Sequence, residues 1–349
     1  MDKKMDYVVK VVVTDALAQA TPSAVNTVAL VGGSEDGSDV GIMYSTDDIA
    51  ETYGEDSELH VLSKSFFGEN NPGKVACVPF DWDSDDIEKV LNSALEAADL
   101  YHFVIRAPRD TSAEELVTLA TKLNSWCSAN YRFAHLESQD FDKAIDALIG
   151  LNELKPARVA IYYHDEPLGY SLAAAIVADR CAVDPARGTW AHKSLKTVTP
   201  DKLKTAQFAQ AKNNGLNVLT SVAGVARLFF GTAGASTKYI DSQIKKDWIK
   251  FRTAEEIYNL LGSANGNYGV EYDDGGIQSV GAAVNKILTQ ANGSTRRYIM
   301  DNSWDVTVPL FADIEKAQVE KRNLPDIRAT FSIMQSIHTV EQVDLIVVL

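Results

Sequence analysis

The glycine pair Gly32-Gly33 closes an apolar run, Val28-Ala-Leu-Val, where a nucleotide-binding chain would carry its phosphate loop. Such a loop needs either three glycines at dinucleotide spacing, so that the backbone can approach a pyrophosphate, or a Gly-Lys-Ser/Thr string that supplies a cation and a hydroxyl. Neither pattern follows Gly32-Gly33, and a tight turn is the expected use of the pair. His164-Asp165-Glu166 gathers acid–base and metal-ligating types, yet it falls between a strand and a helix, where Asp165 suits a helix N-cap. The other histidines, His60, His102, His135, His192 and His338, lack the close pairing from which metal sites are assembled. Asp81, Asp83, Asp85 and Asp86 surround Trp82 as calcium ligands might be arranged, but the glycine and terminal glutamate of such a loop are missing; a solvated acidic turn is expected. Cys77, Cys127 and Cys181 are odd in number, far apart and set in apolar stretches, which suits buried thiols. No catalytic residue, cofactor or metal is therefore expected.

The chain has 349 residues, 46% hydrophobic and 23% charged, a composition ordinary for a folded globular protein with room for two domains. Its net charge of −15 opposes a nucleic-acid surface, which needs a basic field. Residues 1–150 hold 27 Asp and Glu against 11 Lys and Arg, or −16, which leaves +1 for the remainder. Either two faces meeting different environments or an acidic surface that serves solubility fits that split. The longest apolar stretches, such as Leu172–Ala178, are too short to span a bilayer, and the Lys-containing N-terminus has no continuous apolar signal core. Cytoplasmic synthesis without membrane insertion is the expectation.

The elements alternate through the first half. A strand over Asn26–Val31 is followed by helix-period segments at Thr46–Tyr53 and Glu55–Phe67 and a short strand at Lys74–Pro79. Ser84 is a cap candidate for a helix with Ile87, Val90, Leu91, Ala94 and Leu95 on one face, and Tyr101–Arg106 is the next strand. Ser112 opens a helix whose Leu116, Leu119, Leu123 and Trp126 recur at three- and four-residue spacing behind Glu114-Glu115. Strand Arg132–Leu136, helix Phe141–Leu151, strand Arg158–Tyr163 and helix Leu168–Cys181 follow. This alternation predicts an α/β fold: a mostly parallel sheet flanked by helices.

Past residue 182 the pattern changes. Asp201–Ala211 reads as a helix, and Asn217–Val222 with Val225–Phe230 as a hairpin around Ala223-Gly224. Lys238–Phe251 is amphipathic, with Ile240, Ile244, Trp248 and Phe251 on one face and Lys245, Lys246, Lys250 and Arg252 off it. A separate helix, Ala254–Leu261, is expected to end at Gly262, and Gly276–Ala291 forms another. A strand at Trp304–Val308, a Lys/Glu-rich helix near Ala312–Arg322 and a period-2 strand at Ala329–Ile337 complete a second, α+β domain. The expected division is an arm over 1–21, an α/β domain over 22–185, an α+β domain over 186–340 and an arm over 341–349.

Both ends have the character of strands. Val343-Asp-Leu-Ile-Val-Val-Leu places Val343, Leu345, Val347 and Leu349 on one face, and Tyr7, Val9, Val11 and Val13 alternate in the same way near the N-terminus. Strands with bare edges aggregate unless covered, and a neighbouring chain's sheet is one cover; pairing within the chain is the other. Ordered self-assembly is the function that this suggests.

The order of segments resembles the contractile tail sheath proteins of phages, phage-derived bacteriocins and related injection machines, in a short form. The resemblance is carried by Thr27-Val-Ala-Leu-Val-Gly-Gly, by Asp47–Gly68 running through Tyr53-Gly54 to Phe66-Phe67-Gly68, and by Lys74-Val-Ala-Cys-Val-Pro. It continues through Pro156-Ala-Arg-Val-Ala-Ile-Tyr-Tyr-His, Ala173-Ala-Ala-Ile-Val-Ala and Asp184-Pro-Ala-Arg-Gly-Thr-Trp-Ala-His-Lys-Ser-Leu-Lys to the helices over Ile240–Leu261 and Gly276–Ala291. It is one of pattern over essentially the whole chain, and no invariant catalytic string anchors it; the length leaves no room for the outer domains of large phage sheaths. The resemblance implies hexameric rings of this chain stacked around a tail tube, with baseplate and tail-end proteins as further partners and terminal strands added to neighbours' sheets. It implies assembly in a bacterial cytoplasm and a place in a virion tail or bacteriocin particle, with no nucleic acid bound. The tube-facing groups expected from the charge split are Lys245, Lys246, Lys250 and Arg252, or alternatively Lys316, Lys321 and Arg322. An α/β nucleotide-binding enzyme with its ligand at the strand ends near Gly32-Gly33, or a non-contractile homo-oligomeric scaffold, are the competing readings.

Overall fold

In a computed structural model, residues 24–70, 73–152, 157–165, 169–263 and 269–339 are described. Strands β1 (Val28–Gly32), β2 (Gly41–Met43), β3 (Val75–Pro79), β4 (His102–Arg106), β5 (Phe133–Ser138), β6 (Val159–Tyr163), β7 (Asn217–Val222) and β8 (Val225–Phe229) form one sheet in the order β2-β3-β1-β4-β5-β6-β7-β8. The six inner strands are parallel, and β2 and β8 run antiparallel to their neighbours at the two ends. The sheet is thus the mostly parallel one that the alternating pattern predicts.

Parallel strands covered on both faces bury every residue, and alternate residues go to opposite cores. Val28 and Leu30 of β1 face a core shared with helices α1 (Thr46–Tyr53), α2 (Glu58–Gly68), α6 (Leu172–Cys181), α8 (Ile240–Ser263) and α9 (Asp274–Asn292). Ala29 and Val31 face the opposite core, with α3 (Ile87–Ala97), α4 (Ala113–Asn130), α5 (Phe141–Asn152) and α7 (Thr205–Asn214). The helix starts follow local chemistry. Ser45 accepts from the Asp48 amide at 3.1 Å and Ser57 from the His60 amide at 3.1 Å, and Ser112 forms a reciprocal capping box with Glu115. Each such cap contributes about 1 kcal/mol.

Two expected caps move. Helix α3 begins at Ile87 and is capped by Asp86, whose carboxylate accepts from the Glu88 amide at 3.1 Å; Ser84 instead donates to Asp81 at 2.7 Å. Helix α6 begins at Leu172 with Ser171 as its cap, so Asp165 is not a cap residue. The helices expected over Lys238–Phe251 and Ala254–Leu261 are one, α8, about 36 Å long at 1.5 Å per residue. Arg252-Thr253 offers no helix breaker at the join, and Gly262 lies inside the last turn.

The hairpin expected around Ala223-Gly224 forms: Val222 pairs with Val225, and the two turn residues take φ of 52° and 79°, as a two-residue hairpin loop requires. β7 and β8 extend the same sheet beyond residue 185, so the expected division at 185/186 falls within the sheet. Strand β2 carries too short a pattern to be read from the sequence. The segment expected as one helix near Ala312–Arg322 is a 3-10 turn, Phe311–Asp313, and the short α10 (Lys316–Glu320). The expected strand Ala329–Ile337 contributes only β10 (Arg328–Thr330), paired with β9 (Asp305–Thr307), and an isolated bridge from Ile333 to Ile299.

Candidate functional site: strand ends, arm roots and basic clusters

The carboxyl ends of the parallel strands are where an α/β sheet would hold an anionic ligand, against a loop or a helix N-terminus. The chain's own carboxylates occupy both such positions. Glu58 accepts from the Gly33 amide at 3.1 Å and from Trp82 Nε1 at 3.1 Å, and a Cβ at Gly32 would stand 2.9 Å from Glu58 Cγ. The glycine at position 32 is therefore needed for this internal contact; burial raises the Glu58 carboxyl above the usual range. At the N-terminus of α6, the fully buried Glu137 accepts from Ser171 Oγ and the Ala173 amide, each at 2.8 Å. The remaining candidates are also engaged. His164 Nδ1 lies 2.9 Å from Asp201, Asp165 pairs with Arg109, and Glu166 lies outside the described residues. Asp81 is held in a turn by bonds from the Asp83 amide and Ser84 hydroxyl, which keep its carboxyl below its ordinary pKa. Among the described residues no group of three or more His, Cys, Asp or Glu is placed to hold a metal, and no helix is long and apolar enough to cross a membrane.

The basic residues of α8 are not the solvated face expected of them. Lys245 is 1% exposed, with Nζ 2.6 Å from Asp241 and 2.8 Å from the Met334 carbonyl; Lys250 is 3% exposed, with Nζ 3.2 Å above the Tyr131 ring. Lys246 is half-buried, and Arg252 pairs with Glu255 at 2.5 Å. The reason is that α8 meets buried polar groups beside the amino ends of the interior strands β4 and β6. Arg158 donates to both oxygens of Asp247 at 2.6 and 2.8 Å, and Tyr101 donates to Asp247 at 2.6 Å, with all three side chains buried. Burial opposes the Arg158 charge, but the Asp247 charge and hydrogen bonds outweigh it and hold its pKa above the ordinary value. Residues 158 and 247 are invisible as a pair in the sequence; the only local signal was the Asp241/Lys245 spacing of one helical turn. The alternative cluster differs: Lys316, Lys321 and Arg322 are all exposed, with Lys316 3.8 Å from Glu320.

The strand-exchange residues Tyr7, Val9, Val11, Val13, Val343, Leu345, Val347 and Leu349 lie outside the described residues. What is described is the chain next to each terminal segment. The Val25 carbonyl lies 3.0 Å from His102 Nε2, the first link of a buried chain in which His102 Nδ1 meets His135 Nε2 at 2.9 Å and His135 Nδ1 meets the Tyr162 hydroxyl at 3.0 Å. Burial drives both histidines to the neutral form, lowering His102 to about 3. At the other end, the Met334 amide donates to the Tyr298 carbonyl at 2.8 Å and Gln335 accepts from Ser242 at 3.1 Å. His338 then meets Thr189 at 2.7 Å and His192 at 3.0 Å. The C-terminal segment is thus fastened to the body as far as His338.

No known sequence family matches the chain, and no curated protein matches it. Its fold does match solved structures. A chain of the anti-feeding prophage baseplate in its contracted state superposes with a TM-score of 0.59 at 14% identity, covering 98% of this chain and 97% of that one. The sheath tail protein of Desulfitobacterium hafniense superposes with a TM-score of 0.53 at 7% identity, covering 85% of this chain and 93% of that one. The chain has the fold of a contractile tail sheath protein.

Proposed function

We propose that the chain is a structural subunit of a contractile tail sheath, which polymerises around a tail tube and contracts to drive the tube through a target envelope. The observation that carries this reading is the extent of the fold match, which covers 98% of the chain. The filled strand ends favour it over a nucleotide-binding enzyme, because Glu58 and Glu137 occupy the two positions a phosphate would take.

In this reading the segments over 1–21 and 341–349 are the strand-exchange arms, and main-chain pairing keeps neighbours joined while side-chain contacts at other interfaces exchange during rotation of near-rigid subunits. The energy for contraction resides in the extended lattice. Subunits form hexameric rings in a bacterial cytoplasm, ending in a virion tail or bacteriocin particle beside baseplate and tail-end proteins. With Lys245 and Lys250 buried, the exposed Lys316, Lys321 and Arg322 are the basic groups that face the tube, while the acidic first half lies outward.

The test is truncation after Gln342, which removes Val343–Leu349 but keeps every anchor from Met334 to His338. The full chain should form rings or tubes in negative stain, and the truncated chain should stay soluble and folded by circular dichroism without forming them. A truncated chain that still polymerises, or that unfolds, refutes the arm assignment.

A further inference from the structure

The two ends of the eight-stranded sheet are opposite in charge. Strand β2, the loop before it and helix α1 after it, residues 33–57, hold eight Asp and Glu and neither Lys nor Arg. Asp36, Asp39, Asp47, Asp48, Glu51 and Glu55 are all exposed there. At the other end, from residue 185 to residue 240, the only acid is Asp201, which is taken up by His164 and the Asp165 amide. Around it Lys202, Lys204 and Lys212 are exposed and Arg227 half-buried. Seven strand spacings separate the two ends, about 34 Å at ~4.8 Å each.

Each end also carries bare apolar side chains amid its charges. Ile42 and Tyr44 are 41% and 63% exposed on and beside β2, and Val222 and Val225 are 51% and 48% exposed at the tip of the β7–β8 hairpin. On the outer side of β8 the Leu228 main chain is already bonded, accepting from the His192 amide and donating to the Lys193 carbonyl. A side-chain contact, rather than continuation of the sheet across Leu228, is what the β8 end offers a second copy.

We propose that the β2 end of one copy docks on the β8 end of a second copy, head to tail, with Ile42 and Tyr44 against the Val222/Val225 tip and carboxylates against the surrounding lysines. The inference rests on the self-assembling reading above and adds a contact distinct from the arms. Its occupant is a second copy because the complementary surface stands on this same chain. Two different patches on one subunit make a heterologous contact, which closes a ring or propagates a helix rather than stopping at a dimer. Opposite charges speed encounter and reject a like-charged approach, and they set the register of the contact.

Charge reversal tests it on the full chain. One variant carries Asp36→Lys, Glu51→Lys and Glu55→Lys; the other carries Lys202→Glu, Lys204→Glu and Lys212→Glu. Neutral versions with Asn and Gln serve where a reversal perturbs folding, as read by circular dichroism. In sedimentation velocity each reversed variant alone should self-associate about tenfold more weakly than the parent, the size expected when a few exposed charge pairs turn repulsive. An equimolar mixture should recover the association, because the lysine-bearing β2 end of one variant then faces the glutamate-bearing β8 end of the other, and 0.5 M salt should abolish the recovery. A mixture no heavier than its components overturns the proposal. The mixture decides the edge contact whether or not the parent builds tubes, whereas failure of the parent to form rings or tubes counts against the sheath reading alone.

Discussion

Asp247 is where α8 meets the sheet, and replacing it by alanine should be one of the most damaging single changes in the chain. Its carboxylate accepts two bonds from Arg158, at 2.6 and 2.8 Å, and one from Tyr101 at 2.6 Å, and the Arg158 and Asp247 side chains are 1% and 3% exposed. Asp247→Ala leaves the guanidinium charged and buried without its partner, which costs about 3–5 kcal/mol, and leaves the Tyr101 hydroxyl unpaired for about 1–3 kcal/mol more, although the two overlap. A loss of about 4–6 kcal/mol takes up most of a typical domain's stability of about 5–15 kcal/mol. The double change Asp247→Ala, Arg158→Met removes both charges and should recover at least about 2 kcal/mol, since a buried pair is dearer to break than to replace. Urea titrations followed by circular dichroism and tryptophan fluorescence give all the stabilities of the cycle. A loss below about 1 kcal/mol for Asp247→Ala, or a double variant as unstable as the two single losses combined, would refute the account of how α8 is held.

The other expectations are shorter. Lys245→Glu sets a second carboxylate against Asp241 in a dry site and should destabilise the chain by about 3–5 kcal/mol; a variant that melts with the parent and merely loses tube binding would restore Lys245 as a surface group. His102 and His135 are neutral in the fold, with pKa values pushed down by burial, so their contribution is full above the unfolded value near 6.5 and is lost as the pH falls toward about 3. Stability should drop by about 1.4 kcal/mol per histidine for each pH unit below 6.5, and urea midpoints that stay level from pH 7 to 5 would contradict this. Burial pushes the Cys77 and Cys127 thiols up to about 12 and Cys181 higher, so a disulfide reagent at pH 8 should label none of them in the native chain and all three in denaturant. Gly215 has φ of 80°, and a Cβ there would stand 2.7 Å from the Ser236 amide nitrogen; Gly215→Ala should lower the melting temperature by several degrees, and an unchanged melt would count against that close approach.

How much of this was legible depends on the range of the interaction concerned. Helix α1 lies on the residues expected, and α4 starts at the expected Ser112, because capping and apolar spacing act within a few residues. Caps at Ser84 and Asp165 were misplaced where several acceptors competed for one helix start and packing chose among them. The separation of α8 into two helices failed for a similar reason: the sequence shows no partner for the join, whereas packing on α9 and the bonds of Asp247 to Arg158 and Tyr101 carry one helix on through Arg252-Thr253.

The site divides along the same line. The sequence by itself determined the mostly parallel sheet, the buried thiols and the uneven spread of charge, all of which follow from local composition and period, whereas the turn expected at Gly32-Gly33 is the end of β1, where Gly32 still pairs with Pro79. Only the tertiary structure decided that Glu58 and Glu137 fill the ligand positions, that Lys245 and Lys250 point inward, and that acidic and basic segments stand at opposite ends of one sheet. A charge on an amphipathic helix looks solvated until a partner 89 positions away, as Asp247 is from Arg158, makes burial the lower free energy, and no period in the chain encodes that distance.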